Sequence, residues 1–305
     1  METLDFTLQV FLSLPQVDEL LLGGCRKLGG TLTVPLIKLV TDIRKKHGLD
    51  AVDLSGCGPF SISAALPGLE DADLRSVGTL VMQDLSSFET CGSTLKSVML
   101  DDCSNVEGNV GDLVQKCDQL NVLGFSNTGV SVSLNVLSRA QARFQVLRFG
   151  FCSGLSGSID ALTDWTSGVH PSVTCFDVRS TLASGQLAGL GALENLRFLN
   201  VSDTNVKGSL RDLGNGCVRL EEIYIERTHI SGRLRDLQPL NHLRVARLTA
   251  SKVTGRLSDL NHFVSSLGYL AVDDTQVEFA EHVESFAEAH PVCVLVTGTL
   301  TGVWG

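Results

Sequence analysis

With 305 residues and 43% hydrophobic side chains the chain can bury a large core, yet only 6% of it is aromatic, so that core is built from aliphatic side chains. Asp and Glu outnumber Lys and Arg by 34 to 24, a net charge of −10; this argues against a nucleic-acid or anionic-membrane binder, whose affinity rests on cations neutralising phosphate. Nine cysteines, widely spaced and without a Cys-x-x-Cys, suit neither a disulfide framework nor a zinc site and point to free thiols in a reducing compartment.

In chain order, Met1 to Leu14 is apolar at Leu4, Phe6, Leu8, Val10, Phe11, Leu12 and Leu14, which suits a cap over whatever core follows. It lacks the basic n-region of a signal peptide, and no apolar run approaches the roughly 18 residues of a membrane span, so a cytoplasmic location is expected. From Leu20 onward a phrase Leu-x-x-Leu-x-Leu recurs. Its second apolar residue falls at Leu20, Val52, Leu80, Val98, Leu123, Leu147, Phe176, Leu199, Ile223, Ala246, Leu270 and Val294. Alternation within the phrase predicts a short strand, with the two outer apolar residues pointing one way and the residue between them the other. Leu36 to Lys46 (apolar at Leu36, Leu39, Val40 and Ile43) and Ala280 to Ala289 show the 3.6-residue rhythm of helices. Val292 to Val296 reads as a last strand, and Trp304-Gly305 follows with no evident cap.

The pattern is clearest between residues 95 and 277. Leu196-x-x-Leu199-x-Val201-x-x-Thr204-x-Val206-x-Gly208-x-Leu210-x-x-Leu213 returns as Leu220, Ile223, Ile225, Thr228, Ile230, Gly232, Leu234 and Leu237. It returns again from Leu243 to Leu260 and, without its tail, from Leu267 to Val277, with a period of 23 to 24 residues. Such a period marks a solenoid. The phrase resembles the leucine-rich-repeat family over nearly the whole chain. Its Val-x-Gly-x-Leu tail looks like the plant-specific class, with Asp-Leu (Asp212-Leu213, Asp236-Leu237, Asp259-Leu260) where that class has Pro, and Thr-x-Val-x-Gly-x-Leu looks like repeats of unicellular eukaryotes. The resemblance implies an α/β leucine-rich-repeat solenoid, a curved horseshoe with a parallel sheet on its concave face and turns or short helices on its convex face. One domain of about twelve coils, 1–305, is expected. Gly208, Gly232 and Gly255 are expected to make a turn that a Cβ would strain. The family's post-strand Asn slot holds Cys25, Cys57, Cys103, Thr128, Cys152, Thr181, Thr204, Thr228, Ser251 and Thr275, compact side chains that still donate a hydrogen bond; Cys117 and Cys217 match each other before Leu120 and Leu220.

Motifs for catalysis are missing: no phosphate loop, nucleophile elbow, His-Glu-x-x-His or Ca²⁺ loop occurs. The seven histidines are dispersed and read as solvated, and His242 and His262, each after an Asn, are too few for a metal site. The expectation is a non-catalytic module without a cofactor.

Residues between and just after the apolar pairs face outward and are what a partner would read. Aromatic and Arg side chains, the usual interface anchors, gather at Arg148, Phe151, Arg179, Phe198, Tyr224, Arg227, Arg247 and Tyr269. Asn200, Asp203, Glu222, Glu226 and Asp273 lie among them. A protein partner on this face is expected; the alternative is the ligand-recognition segment of a larger receptor-like or signalling protein. A basic edge of Lys207, Arg211, Arg233, Arg235, Lys252 and Arg256 is a second candidate, unless Asp212, Asp236 and Asp259 neutralise it. The one glycosylation sequon, Asn200-Val201-Ser202, falls on the proposed face, which fits a chain that stays out of the secretory path.

Overall fold

The computed structural model describes residues 17–26, 28–162, 172–261, 266–278, 283–298 and 301–303. The expected N-terminal cap, His170, His262, His282 and Trp304-Gly305 lie outside the described residues. The chain divides into two compact units, Met1–Val132 with Ala140–Gly154, and Ser133–Arg139 with Leu155–Gly305.

In each unit the core of the phrase is a strand of two or three residues. The first unit has Leu20–Leu21, Val52–Asp53, Asp71–Asp73, Ser97–Met99, Val122–Gly124 and Val146–Arg148. The second has Cys175–Asp177, Phe198–Asn200, Glu222–Tyr224, Val245–Arg247, Tyr269–Ala271 and Val294–Val296. In the second unit these strands pair in parallel and in register, so that Leu199, Ile223, Ala246, Leu270 and Leu295 form one inward row, each at most 3% exposed. Burying such aliphatic rows supplies the main driving force, about 25 cal/mol per Å² of apolar surface.

Two landmarks move from their expected places. The third strand centres on Ala72, because Leu69, Ala72 and Leu74 are the buried residues there, and Leu80 instead bridges Phe60 at the side of the coil. In the last coil Leu295 points inward and Val294 is half-buried, a one-residue shift that reverses which side chains face the core.

A second parallel sheet, not anticipated, runs beside the first. In the second unit it comprises Leu182–Gln186, Asn205–Ser209, His229–Arg233, Lys252–Arg256 and Gln276–Glu278. The segment expected to turn at Gly208 and Gly232 is therefore strand, although each glycine sits at positive φ, +129° and +124°. A Cβ on Gly232 would come within 3.0 Å of the Leu210 amide nitrogen. The turned-out carbonyls are used: Ser231 Oγ donates to Gly208 O at 3.1 Å, and Thr254 Oγ1 to Gly232 O at 3.2 Å.

Behind the sheets lie short helices. The helix Val34–His47 carries Pro35 in its first turn and Arg44 to His47 in its last, where cations complement the helix dipole. The predicted Ala280–Ala289 helix is present as Val283–Ala289, residues 280–282 lying outside the described set. Asp212, Asp236 and Asp259 accept from the backbone N–H three residues earlier, at Ser209 (3.0 Å), Arg233 (2.8 Å) and Arg256 (3.1 Å). These carboxylates thus close the turn from second sheet to back helix. Asp236→Ala is expected to lower stability by about 1 kcal/mol, as loss of a cap does, read by urea unfolding.

At the first unit's start the sheet is interrupted. Leu20–Leu21 and Val52–Asp53 form a sheet of their own. Side chains of the helix Val34–His47 supply the missing partners: Thr41 Oγ1 accepts from Asp73 N (2.9 Å), and Arg44 donates to Asp73 O (3.0 Å) and Val52 O (3.2 Å). At the other end the last parallel strand is not left bare, contrary to expectation, because Thr301–Val303 pairs with it antiparallel. Among the described residues no helix is long and apolar enough to cross a membrane.

Candidate functional site

The post-strand slot works as expected from its compact donors, in two ways. Thr128, Thr181, Thr204, Thr228, Ser251 and Thr275 donate to the carbonyl three residues back in their own coil, at 2.5–2.7 Å. Cys57, Cys103 and Cys152, with a longer side-chain bond, reach the preceding coil instead, at Leu22 O (3.2 Å), Leu74 O (3.1 Å) and Phe125 O (2.8 Å). Cys91 and Cys217 likewise donate to Leu66 O and Leu190 O, each at 3.2 Å. Burial pushes the Cys103 and Cys217 thiols up to about 12 and those of Cys91 and Cys117 up to about 11. These four thiols stay protonated at neutral pH and act as hydrogen-bond donors. Cys25 departs from the group and is exposed. His290 departs from the solvated reading of the histidines: it is 2% exposed, stacks on Phe286 at 4.6 Å, and has Nε2 3.1 Å from Leu260 O.

One residue per coil then takes the left-handed conformation: Ser76, Asp102, Asn127, Phe151, Ser180, Asp203, Arg227, Ala250 and Asp274, at φ between +51° and +65°. Small or polar side chains tolerate this region and bulky ones do not. Arg227 is held by hydrogen bonds from its guanidinium to both oxygens of Asp203, whose carboxyl this holds below the usual range. Phe151, in the first unit, takes the strained conformation while 53% exposed.

On the outer face of the second unit's front sheet, the in-register neighbours Tyr224 and Arg247, flanked by Phe198 and Tyr269, build one cluster. The Phe198 and Tyr224 rings lie 5.3 Å apart, tilted by 37°. The Arg247 guanidinium stands 5.8 Å from the Tyr224 ring and 5.0 Å from the Tyr269 ring, between two tyrosine faces. Glu222 accepts from the Tyr224 hydroxyl at 2.7 Å, and Glu226 approaches Arg247 at 3.9 Å. All six side chains are half-buried. Burial, and after it Glu222, pushes the Tyr224 phenol up to about 12. Glu222→Gln removes the negative neighbour and is expected to bring Tyr224's ionisation down, visible as tyrosinate absorbance at lower pH; an unmoved titration would mean burial alone sets it.

The other expected contact residues are placed differently. Asn200 is 3% exposed, enclosed between its register neighbours Asp177 and Tyr224, with Oδ1 accepting from Ser202 N at 3.1 Å. It offers no surface to a partner, and the sequon lies buried with it. Asp273 accepts from Thr249 Oγ1 at 2.9 Å, and Arg179 lies 3.7 Å from the buried Asp177. Arg148 and Phe151 belong to the first unit.

The basic edge lies on the second sheet and the back helices. Lys207, Arg233, Lys252 and Arg256 are exposed on the strands, and Arg211 and Arg235 on the helices. The aspartates expected to neutralise it cap backbone amides instead, and Arg256 pairs with Glu278 at 3.2 Å. Lys207 stands opposite His229, and Lys252 opposite Ser231, so the cations are staggered from coil to coil. Among the described residues no group of three or more His, Cys, Asp or Glu side chains could hold a metal ion.

No known family model matches the chain, and no curated protein matches it. Solved structures do. A TDR receptor is similar at a TM-score of 0.59 and 15% identity, over 96% of this chain and 57% of that one. A leucine-rich-repeat protein of Leptospira interrogans is similar at 0.57 and 13% identity, over 88% and 69%. The Arabidopsis receptor kinase HAESA, in complex with the peptide hormone IDA and the co-receptor SERK1, is similar at 0.52 and 17% identity, over 91% and 50%. The fold is an α/β leucine-rich-repeat solenoid. At these identities the likeness is one of fold alone, and the chain spans about half the length of the two receptors. The aromatic cluster occupies outward positions of four successive coils, while the Leu, Thr and Cys positions are spent on the core and the turns.

Proposed function

We propose that the chain is a non-catalytic protein-interaction module, and that its partner docks on Phe198, Glu222, Tyr224, Glu226, Arg247 and Tyr269. The observation that carries this reading is Arg247 held between two tyrosine faces. Aromatic and Arg side chains dominate interface energetics, and here the sheet has already ordered them, which lowers the entropic cost of binding. A partner segment that suits the surface brings an apolar side chain for the Phe198–Tyr224 pair and an acidic group for Arg247. Glu222 and Glu226 disfavour an acidic group anywhere but over the guanidinium.

A second reading, a ligand-recognition segment of a larger receptor-like or signalling protein, is favoured by the likeness to receptors such as HAESA, solved with a peptide hormone. We also assign the repeats to the plant-specific-like class, on the tail that forms the second sheet, and the chain to a reducing compartment, on its nine free thiols.

The test is affinity capture with the tagged chain, under reducing conditions, beside a Tyr224→Ala/Arg247→Ala/Tyr269→Ala variant of matched thermal stability. A partner enriched by the wild type and lost in the variant supports the cluster. A partner retained by both moves the interface elsewhere.

A further inference from the structure

Within the first unit, the pairing of Leu20 with Val52 and Leu21 with Asp53 sets an offset of 32 residues between the first two coils. The offset holds through the following turn, where Leu22 N donates to Asp53 O (2.8 Å) and Gly24 N to Ser55 O (2.6 Å). Cys25 and Cys57, also 32 residues apart, therefore stand directly opposite each other on neighbouring coils. Stacked coils are about 4.8 Å apart, inside the Cα separation of about 4.4–6.8 Å that a disulfide accepts. The backbones are close here, since a Cβ built on Gly56 would lie 3.6 Å from Gly24 Cα. Cys57 Sγ already leans across the gap, donating to Leu22 O at 3.2 Å and lying against the Cys25 backbone N–H. Cys25 is exposed and Cys57 is 4% exposed, so one thiol meets solvent while the other waits behind it.

We propose that Cys25 and Cys57 are a redox-active pair, converted to a disulfide by a small-molecule disulfide such as oxidised glutathione, which locks the first coil to the second. The Cys25 thiolate attacks one sulfur of oxidised glutathione, forming a mixed disulfide and expelling one glutathione thiolate. Cys57, giving its proton to solvent, then attacks the Cys25 sulfur and expels the second glutathione. Two protein thiols are oxidised, one glutathione disulfide is reduced, and the two protons end on the two glutathione thiols.

The molecule carries its own control. Cys91 and Cys117 are offset by 26 residues, as are their coils' strands, where Asp71 pairs with Ser97. They are near neighbours on adjoining coils, yet both are buried, at 5% and 0% exposure. Neither can reach glutathione disulfide in solvent to make the first attack, so a neighbouring thiol pair without access stays reduced. The exposed pair also sits where a lock has an effect. The first two strands lack a sheet partner on the third and are tied to it through Arg44 and Thr41, which makes this end a candidate for local opening.

The experiment treats the reduced full chain with oxidised glutathione under native conditions, blocks remaining thiols and maps peptides without reduction. The expected product is a Cys25–Cys57 linked peptide and an intact mass lower by two hydrogens. Cys57→Ser should stop at a single glutathione adduct on Cys25, and Cys25→Ser should acquire neither. Hydrogen exchange at the Leu22 and Gly24 amides should slow in the oxidised wild type. The proposal is overturned if the wild type also stops at the Cys25 adduct. It is equally overturned if Cys91 and Cys117 oxidise at the same rate, since oxidation would then follow unfolding, or if the two amides exchange alike in both forms.

Discussion

Asp73→Ala is expected to destabilise the first unit by about 3–5 kcal/mol, the cost of leaving a buried charge without its partner. Arg44 and Asp73 have side chains 1% and 2% exposed and lie 3.3 Å apart, and Arg75 reaches the same carboxylate at 2.6 Å. Removing the carboxylate leaves two guanidinium groups facing each other, one of them sealed from water. Burial pushes the Asp73 carboxyl up, but the Arg75 hydrogen bonds and the charges of Arg75 and Arg44 outweigh it and hold the group below its ordinary 3.8. A carboxyl depressed in the folded state contributes stability above its unfolded value and loses it as the pH falls through the folded value. The wild type's advantage over Asp73→Ala is thus full above pH 3.8 and shrinks in stronger acid. Arg44→Met should be milder, about 1–3 kcal/mol: Asp73 keeps Arg75, and the loss is the contact with the Asp73 carboxylate and the two hydrogen bonds to Asp73 O and Val52 O. Hydrogen exchange at Leu22 and Leu74, whose amides bond to the next coil, reads both variants locally. Equal costs for the two, or a cost for Asp73→Ala under about 1 kcal/mol, would mean that the charges are solvated in the native state.

That interior ion pair was not legible in the sequence, and the reason is physical. The repeat phrase encodes positions that every coil must fill alike, so Leu199, Ile223, Ala246 and Leu270 declare themselves by period. Arg44 fills a gap that occurs once, where one long back helix replaces a sheet contact, and a single occurrence has no period. The same loss of regularity moved the third landmark: Asp71-Ala72-Asp73 carries two carboxylates where a strand signal wants apolar residues. The second sheet was hidden by Gly208 and Gly232, since glycine between alternating residues reads as a turn, whereas here it bends a strand and frees a carbonyl for Ser231 and Thr254. Asp212, Asp236 and Asp259 looked like partners for the basic edge because charge was all the sequence displayed; their bonds are to backbone amides. For the site, the outward position of Phe198, Tyr224, Arg247 and Tyr269 followed from alternation alone. Alternation gives the direction of a side chain but not its cover, so Asn200, outward by the same rule, lies buried between Asp177 and Tyr224.

Arg247→Ala is expected to weaken capture of the partner by at least about 30-fold, some 2 kcal/mol, if the cluster is the interface centre. The stability of the unit should barely move, because the inward neighbour Ala246 and the rest of its row are untouched. Arg247→Lys separates charge from shape. A lysine keeps the positive charge but not the flat guanidinium that lies between the Tyr224 and Tyr269 rings, nor its forked donors. Little recovery is expected, because the rings hold the guanidinium in place and leave its donor edge for an acidic group. Tyr269→Phe keeps the ring face and should bind nearly as the wild type, whereas Tyr269→Ala should approach the loss seen for Arg247→Ala. The two changes should also be non-additive when combined, since each removes the same stacked unit. Additive losses, or full rescue by lysine, would show that the partner reads a loose positive charge, and the weight of the interface would then shift toward the exposed cations of the second sheet.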